Sequence, residues 1–147
     1  MGSGLNKVSF GAQKISIEDI VRIAHQGTPV ELSTDTLFTK KVDEGIRFLD
    51  QLLKEEGHIY GVTTGYGDSC TVAVPLSLVD ELPIHLTRFH GCGLGDYFTQ
   101  EKGRAILAVR LVSLSQGYSG VSWDLLNLLV EMLNNQIIPV IPEEGSV

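Results

Sequence analysis

The chain has 147 residues, of which 43% are hydrophobic, and a net charge of −7 at pH 7. This length suits one ordinary domain with a sizeable core. The acidic balance argues against nucleic acid or an anionic membrane surface as a main partner, and no apolar run is long enough to span a bilayer. Two cysteines, Cys70 and Cys92, are too few for a disulfide framework. Together with the lack of a signal-peptide pattern, they lead us to expect a cytoplasmic location.

Two helices are predicted in the first third of the chain. Ser16 precedes a helical pattern of apolar residues as an N-cap, and Gly27 lies beyond its end. A second helical pattern runs from about residue 35 to residue 56 and is followed by Gly57.

A glycine-rich loop follows these helices. Residues 60–67 read YGVTTGYG, and three glycines there oppose a helix because each costs about 1 kcal/mol relative to alanine. We predict a loop over 57–75, with 71–74 extended. A tyrosine on such a loop can project its phenol into a cavity, which makes Tyr60 a candidate for chemistry.

The second half of the chain is predicted to be helical with two interruptions. A helix over 77–89 is kinked or split by Pro83, and residues 91–96 form a second glycine-rich break. Thr99 caps a helix over about 100–116 that is apolar around most of its circumference, which predicts burial on several sides.

Ser122 caps the last helix, and two prolines set residues 137–142 in an extended conformation. The predicted fold class is mainly α.

Neither glycine-rich segment predicts a nucleotide site. Residues 65–67 lack the third glycine of a dinucleotide fingerprint, and 91–95 follow a helix where that fingerprint requires a strand. A metal site is not predicted either, because five residues of helix turn His85 and His90 away from each other and Cys92 adds no second cluster.

Tyr60 has two interpretations on the residues alone: a proton-transfer group, or an aromatic anchor beneath a turn. A phenol acts as a base at neutral pH only in a positive potential, which the N–H groups of residues 61–65 or a helix N-terminus could supply. Residues 89 and 90 are likewise either core contacts or a pocket wall. We expect Arg88, Arg104 and Arg110 to make surface or helix-end ion pairs.

Four segments together resemble one family, the aromatic amino acid lyases and aminomutases, which include histidine, phenylalanine and tyrosine ammonia-lyases. They are 60–67 (YGVTTGYG), 88–95 (RFHGCGLG), 117–121 (GYSGV) and 133–142 (LNNQIIPVIP). The resemblance implies the N-terminal helical part of an ammonia-lyase-like fold that leads into a central helical bundle. Residues 1–56 would be a helical lead-in, 57–75 the catalytic loop and 76–147 the helices leading to the prosthetic group.

The resemblance also implies the chemistry. In this family an Ala-Ser-Gly triplet cyclises to methylidene-imidazolone (MIO), an electrophile that activates the substrate amine, and here the triplet is expected just after Val147. No metal or nucleotide is implied. Tyr60 matches the tyrosine that removes the β-proton, Gly67 belongs to the mobile loop that closes over the substrate, and Phe89 and His90 match the pair that lines the substrate ring.

The resemblance leaves the substrate open. Phe89 resembles phenylalanine enzymes, His90 resembles histidine and some tyrosine enzymes, and Thr63, Thr64 and Tyr66 resemble tyrosine lyases and aminomutases. The leading hypothesis is deamination of an aromatic L-amino acid, with tyrosine ahead of histidine. The alternatives are an aromatic 2,3-aminomutase and, in another class, a non-catalytic helical assembly module. The implied partners are the rest of the same polypeptide and three further copies in a homotetramer.

Overall fold

The computed structural model describes residues 7–55 and 57–145, except for the side chain of Phe89. The predicted helix end at Glu56 lies outside the described residues, as do Ser146 and Val147, after which the MIO triplet is expected. Within the described part, five α-helices and four three- or four-residue strands make up the regular structure, together with two short 3-10 helices. The predicted mainly α class is confirmed.

The first part of the chain is β1 (Val8–Phe10), α1 (Ile17–Gln26), β2 (Val30–Leu32) and α2 (Thr36–Lys54). The two helices lie where they were predicted, but the strands were missed. β1 and β2 pair in parallel, with Val8 opposite Val30. Three residues are too few to display an alternating pattern, so the sequence carried no periodic signal for either strand.

Side-chain caps explain where both helices begin. The Ser16 hydroxyl accepts from the Asp19 N–H at 3.2 Å, and the Asp19 carboxylate accepts from the Ser16 N–H at 2.9 Å. This reciprocal pair is a capping box, and Gly27 ends α1 in the left-handed conformation with φ of 62°. The carboxylate of Asp35 caps α2 by accepting from Leu37 and Phe38.

The second part contains α3 (Leu82–His90), β3 (Leu94–Tyr97), α4 (Gln100–Leu114), α5 (Trp123–Asn134) and β4 (Pro142–Glu144). Before α3 lie two 3-10 helices, Gly67–Thr71 and Leu76–Leu78. The predicted helix over 77–89 is therefore split, because Pro83 has no N–H and is accommodated in the first turn of α3.

The predicted break over 91–96 is wrong in its second half. Residues from Leu94 form β3, which pairs antiparallel with β4 and sets Tyr97 opposite Pro142. The partner strand lies more than forty residues further along the chain, which is why a local pattern did not predict it.

The core lies between the small parallel sheet and helices α1, α4 and α5. Its largest fully buried side chains come from all of these elements: Phe10, Ile23, Leu111, Leu126, Val8 and Val30. The prediction that α4 is buried on several sides is wrong for this chain. Leu107 and Leu111 are buried, but Ile106 and Val109 are 42% and 54% exposed because no described residue covers that side.

Two polar contacts fix α4 and α5 to the rest of the fold. The side-chain amide of Asn134, at the end of α5, donates to the Val30 carbonyl at 2.9 Å and accepts from the Val30 N–H at 2.8 Å. It therefore occupies the free edge of β2 as a third strand would. Buried Arg104 on α4 donates through Nε to the Ala24 carbonyl in the last turn of α1 at 2.8 Å.

The end of α5 directs the chain back across α4. Gly103 allows this approach, because a Cβ atom at this position would lie 2.6 Å from the Ile138 side chain. Residues 137–142 were predicted to be extended; in the structure 137–141 have no regular secondary structure, and the chain becomes a strand at Pro142, where β4 lies beside β3. β3 begins four residues after the last residue of α3, so its pairing with β4 lies close in sequence to the C-terminal end of α3.

Candidate active site

Two buried threonines hold the loop that carries Tyr60. The Thr63 hydroxyl accepts from the Ile59 N–H and donates to the Gly57 carbonyl, both at 2.8 Å. The Thr64 hydroxyl accepts from the Gly61 N–H at 3.2 Å and donates to the Gly65 carbonyl at 3.0 Å. The two hydroxyls thus bond four backbone groups of this glycine-rich segment, those of Gly57, Ile59, Gly61 and Gly65.

A short backbone pairing closes the other side of the loop. The Gly65 N–H donates to Val72 at 3.1 Å, and the Val74 N–H donates to Thr63 at 2.8 Å. The extended segment predicted over 71–74 is therefore present from residue 72, since Thr71 still belongs to the first 3-10 helix.

The phenol of Tyr60 is held by one backbone donor. Its oxygen accepts from the Gly67 N–H at 3.0 Å, and its side chain is 64% exposed. This bond fixes the position of the phenol oxygen, and a proton-transfer group must be held in place to act. The geometry is therefore compatible with proton abstraction by Tyr60.

Two sources of a donor were predicted, the N–H groups of residues 61–65 or a helix N-terminus, and the structure uses the second, because Gly67 is the first residue of the 3-10 helix Gly67–Thr71. The N–H groups of Gly61 and Gly65 are instead bonded to Thr64 and Val72 within the loop. The N–H groups of Val62 and Thr63 both donate to Ile59. Gly67 supplies the donor because the chain turns back towards Tyr60 there, with φ of 55°.

Tyr66 stands beside Tyr60 and was not predicted as a structural member of the site. Its hydroxyl donates to the Gly61 carbonyl at 3.1 Å. Gly61 has φ of 71°, and a Cβ atom there would lie 2.7 Å from the Tyr66 ring. Glycine at 61 is thus required both by the backbone conformation and by the packing of Tyr66.

A cleft of about 880 Å³ opens between this loop and α3. The loop contributes Tyr60, Gly65, Tyr66, Gly67 and Ser69, and α3 contributes Leu82, His85, Leu86, Arg88 and His90. Of the predicted site residues, Tyr60, Gly67 and His90 therefore border one cavity. The side chain of Phe89, the fourth, lies outside the described residues. The roles of all four stay predictions.

Arg88 lies in this cleft, where the sequence led us to expect an ion pair. In the described part of the chain it has no carboxylate within ion-pair distance. His85 is placed differently, because its Nε2 lies 3.5 Å from the Glu81 carboxylate one turn earlier. The feature of the sequence that could have indicated that Arg88 lies in the cleft is its position two residues before His90 on the same helix.

The described lining residues of the cleft include no aspartate or glutamate. Carboxylates whose pKa is lowered lie elsewhere, in the first turns of α1 and α4. Backbone hydrogen bonding at the helix N-terminus lowers the pKa of Glu18, Asp19 and Glu101. The permanently charged side chain among the described lining residues is that of Arg88.

Residues 7–55 and 57–145 contain no group of three or more His, Cys, Asp or Glu side chains that could hold a metal ion. None of the helices in this part of the chain combines the length and apolar composition needed to cross a membrane.

Comparison with known proteins identifies the class. The family model described as aromatic amino acid lyase matches residues 15–147. The chain belongs to the aromatic amino acid lyase family, which confirms the resemblance. The match includes residues 15–56, which lie in the predicted helical lead-in and outside the four segments that carried the resemblance.

Individual relatives agree with this assignment. A probable histidine ammonia-lyase of Thermoplasma acidophilum is 41% identical over 140 residues, which is 95% of this chain and 28% of that relative. The match to the crystal structure of tyrosine aminomutase from Streptomyces globisporus covers 95% of this chain and 26% of the aminomutase chain, with a TM-score of 0.87 and 34% identity. The match to phenylalanine aminomutase of Pantoea agglomerans covers 96% of this chain and 27% of that aminomutase chain, with a TM-score of 0.84 and 33% identity.

Proposed function

We propose that this chain supplies the proton-abstracting tyrosine of an ammonia-lyase that deaminates an aromatic L-amino acid. The observation that carries the proposal is the hydrogen bond from the Gly67 N–H to the Tyr60 phenol at 3.0 Å, at the border of a cleft that His90 also lines. Tyr60 takes the β-proton, the carbon–nitrogen bond breaks, and the products are an aryl acrylate and ammonia. The elimination needs no oxidant or reductant.

The electrophile would come from outside these residues. No Ala-Ser-Gly triplet occurs among the 147 residues. When formed, MIO activates the amino group of the substrate as a leaving group. The residues present are compatible with it, because a cleft of about 880 Å³ leaves room for a substrate and a group from the rest of the polypeptide. Small-molecule sites span about 300–1,000 Å³.

Tyrosine is the substrate we propose first. His90 lines the cleft, and an imidazole can donate to or accept from a phenol. The structural similarity to a tyrosine aminomutase supports the same choice. Histidine is the second candidate, since a relative 41% identical over 140 residues is named a probable histidine ammonia-lyase.

Gly67 and its neighbours form the lid in this proposal. Residues 67–70 are exposed, and they directly follow the segment braced by Thr63 and Thr64. A short segment at the edge of a braced loop can close over a bound substrate and exclude water.

The rest of the polypeptide and a homotetramer are part of the proposal, as is a cytoplasmic location. The chain spans 28% of the Thermoplasma relative and 26% of the Streptomyces structure. Ile106, Val109 and Leu128 expose apolar surface on α4 and α5 that such partners would cover.

The complete protein, expressed with the remainder of its polypeptide, tests the proposal. It is incubated separately with L-tyrosine, L-histidine and L-phenylalanine, and ammonia and the aryl acrylate are quantified. Equal amounts of both products from one amino acid support the lyase. A β-amino acid in place of ammonia identifies an aminomutase, and turnover of none of the three favours the assembly module.

A further inference from the structure

We propose that Arg88 is a specificity-determining residue that selects substrates whose aromatic ring carries an oxygen substituent. The inference rests on the proposed function and extends it, because it names the group that reads the ring. The starting observation is that Arg88 borders the same cleft as the Tyr60 phenol.

The charge of the cleft opposes the charge of the whole chain. The chain carries −7, yet the described lining residues comprise one permanent cation, two histidines and no carboxylate. An arginine stays protonated at any physiological pH and has only donors, five N–H groups in a planar fork. A phenol oxygen can accept from this fork, whereas a protonated imidazole is repelled by it.

The lack of a carboxylate partner among the described residues supports the assignment of Arg88 as a donor to the substrate ring. Among the described residues no carboxylate lies within 4.0 Å of its guanidinium, so its donors are not committed to an ion pair. His85 differs, since Glu81 lies 3.5 Å away and is not a lining residue. Closing a cleft over an uncompensated cation costs free energy unless the substrate provides an acceptor.

The position of Arg88 places it at the ring end of a bound substrate. It lies in the last turn of α3, directly before the pair Phe89 and His90 that we propose to line the ring. A cation in this turn also interacts favourably with the helix dipole, a role that any cation fills equally. Ring recognition by the guanidinium fork is therefore separable from that general effect.

The test uses the complete protein and three variants. Arg88→Leu removes the charge and the donors, and Arg88→Lys keeps the charge without the fork. Arg47→Leu is the matched control, since Arg47 is exposed on α2 and does not line the cleft. Two readouts are taken: kcat/KM for tyrosine, phenylalanine and histidine, and equilibrium binding of 4-hydroxycinnamate against cinnamate.

Arg88→Leu is expected to lower the ratio of kcat/KM for tyrosine to that for phenylalanine by about 10- to 100-fold, the range for a lost hydrogen bond to a charged group. Its preference for 4-hydroxycinnamate over cinnamate should fall to a similar extent. Arg88→Lys is expected to fall between Arg88→Leu and the wild type, and Arg47→Leu to match the wild type.

Three results would overturn the inference. They are wild-type kcat/KM values in Arg88→Leu for all three amino acids, an equal loss on all three, which would mean that Arg88 binds their shared carboxylate, and a wild type that turns over these amino acids without preferring tyrosine. If the wild type turns over no amino acid but its 4-hydroxycinnamate preference depends on Arg88, the lyase proposal fails and the ring recognition stands.

Discussion

Tyr60 and Tyr66 meet edge to face, with ring centroids 6.1 Å apart and planes at 86°. Each phenol then binds the backbone of the residue next to the other: Tyr60 accepts from Gly67, and Tyr66 donates to Gly61. These two reciprocal bonds join residues 60–61 to residues 66–67. Because the bond from Gly67 fixes the Tyr60 oxygen, the candidate base is positioned by residues of its own loop.

Tyr60→Phe should abolish deamination in the complete protein while leaving its fold and assembly intact. Only the phenol oxygen is removed, and losing a positioned proton-transfer group lowers the rate by about 10²–10⁴. The measurement is kcat with circular dichroism and sedimentation as checks on the fold. Tyr118→Phe, at a tyrosine that is 82% exposed and outside the cleft, is the matched control. If the activity of Tyr60→Phe is within a few-fold of the wild type, Tyr60 is not the catalytic base.

Alanine at Gly61 should be more harmful than alanine at Gly67. Both glycines have positive φ, which costs a residue with a Cβ atom about 1–2 kcal/mol. At Gly61 the new Cβ would also lie 2.7 Å from the Tyr66 ring, whereas at Gly67 it meets no atom within 4 Å. Thermal unfolding and kcat are measured for both variants. Equal losses would show that the Tyr66 contact does not hold the loop.

His90→Leu should shift the preferred substrate towards phenylalanine. The change removes a hydrogen-bonding partner from the cleft, so a polar ring substituent is left unpaired at a cost of about 1–3 kcal/mol. The check is the set of kcat/KM values for the three amino acids. If their ratios do not change, residue 90 does not read the ring.

The sequence predicted those parts of the fold that depend on local chemistry. The caps Ser16, Thr99 and Ser122 each begin a helix in the structure, and Asp35 begins α2 as expected. These signals were readable because a cap acts within four residues of the helix it starts. The strands could not be predicted in this way, because their partners are distant in the sequence. The free edge of β2, for example, is bonded by the side chain of Asn134, which lies 104 residues beyond Val30.

The same distinction applies to the site. Tyr60 was found because its setting of glycines and threonines is local. A helix N-terminus was one of its two predicted donors, but the position of that donor at Gly67 and the presence of Arg88 in the cleft were not predicted, since both depend on how the loop turns back on itself and faces α3. A hydrogen bond that a single backbone angle directs cannot be inferred from residue types alone.

The capping box of α1 predicts one component of the acid stability. The hydrogen bond from the Ser16 backbone and the contact with Arg22 lower the pKa of Asp19. The folded pKa lies below the unfolded value of about 3.9, so the carboxylate stabilises the fold above that pH and the effect is lost as the pH falls through the folded pKa. Asp19→Asn should therefore lose less stability than the wild type on going from about pH 5 to pH 3.

Denaturant unfolding at both pH values measures this difference. Glu44→Gln is the control, because that exposed carboxylate lies 3.8 Å from Lys40 in an i,i+4 pair that contributes little. It should retain the wild-type pH dependence. A parallel pH dependence for Asp19→Asn and the wild type would contradict the role of Asp19.

Residues 1–147 expressed alone should be inactive and should self-associate. The triplet that would form the electrophile is not among them. In addition, α4 and α5 expose a set of apolar side chains that a monomer would leave in water: Ile106, Val109, Leu125 and Leu128. Burying this surface against a second copy is favourable by about 25 cal/mol per Å² of apolar area, so exposure favours aggregation or oligomers.

Sedimentation velocity separates the alternatives, and the double substitution Ile106→Glu and Val109→Glu tests whether this surface is the cause. Both residues are exposed, so the charges should not enter the core, and they should raise the monomer fraction by opposing apolar contact. Glutamates at the exposed positions Asn127 and Ser113 would add the same charge without removing apolar surface. A wild-type segment that is monodisperse and unfolds cooperatively as a monomer would contradict the prediction that these helices require a partner. Ammonia release by the segment alone would contradict the placement of the electrophile beyond Val147.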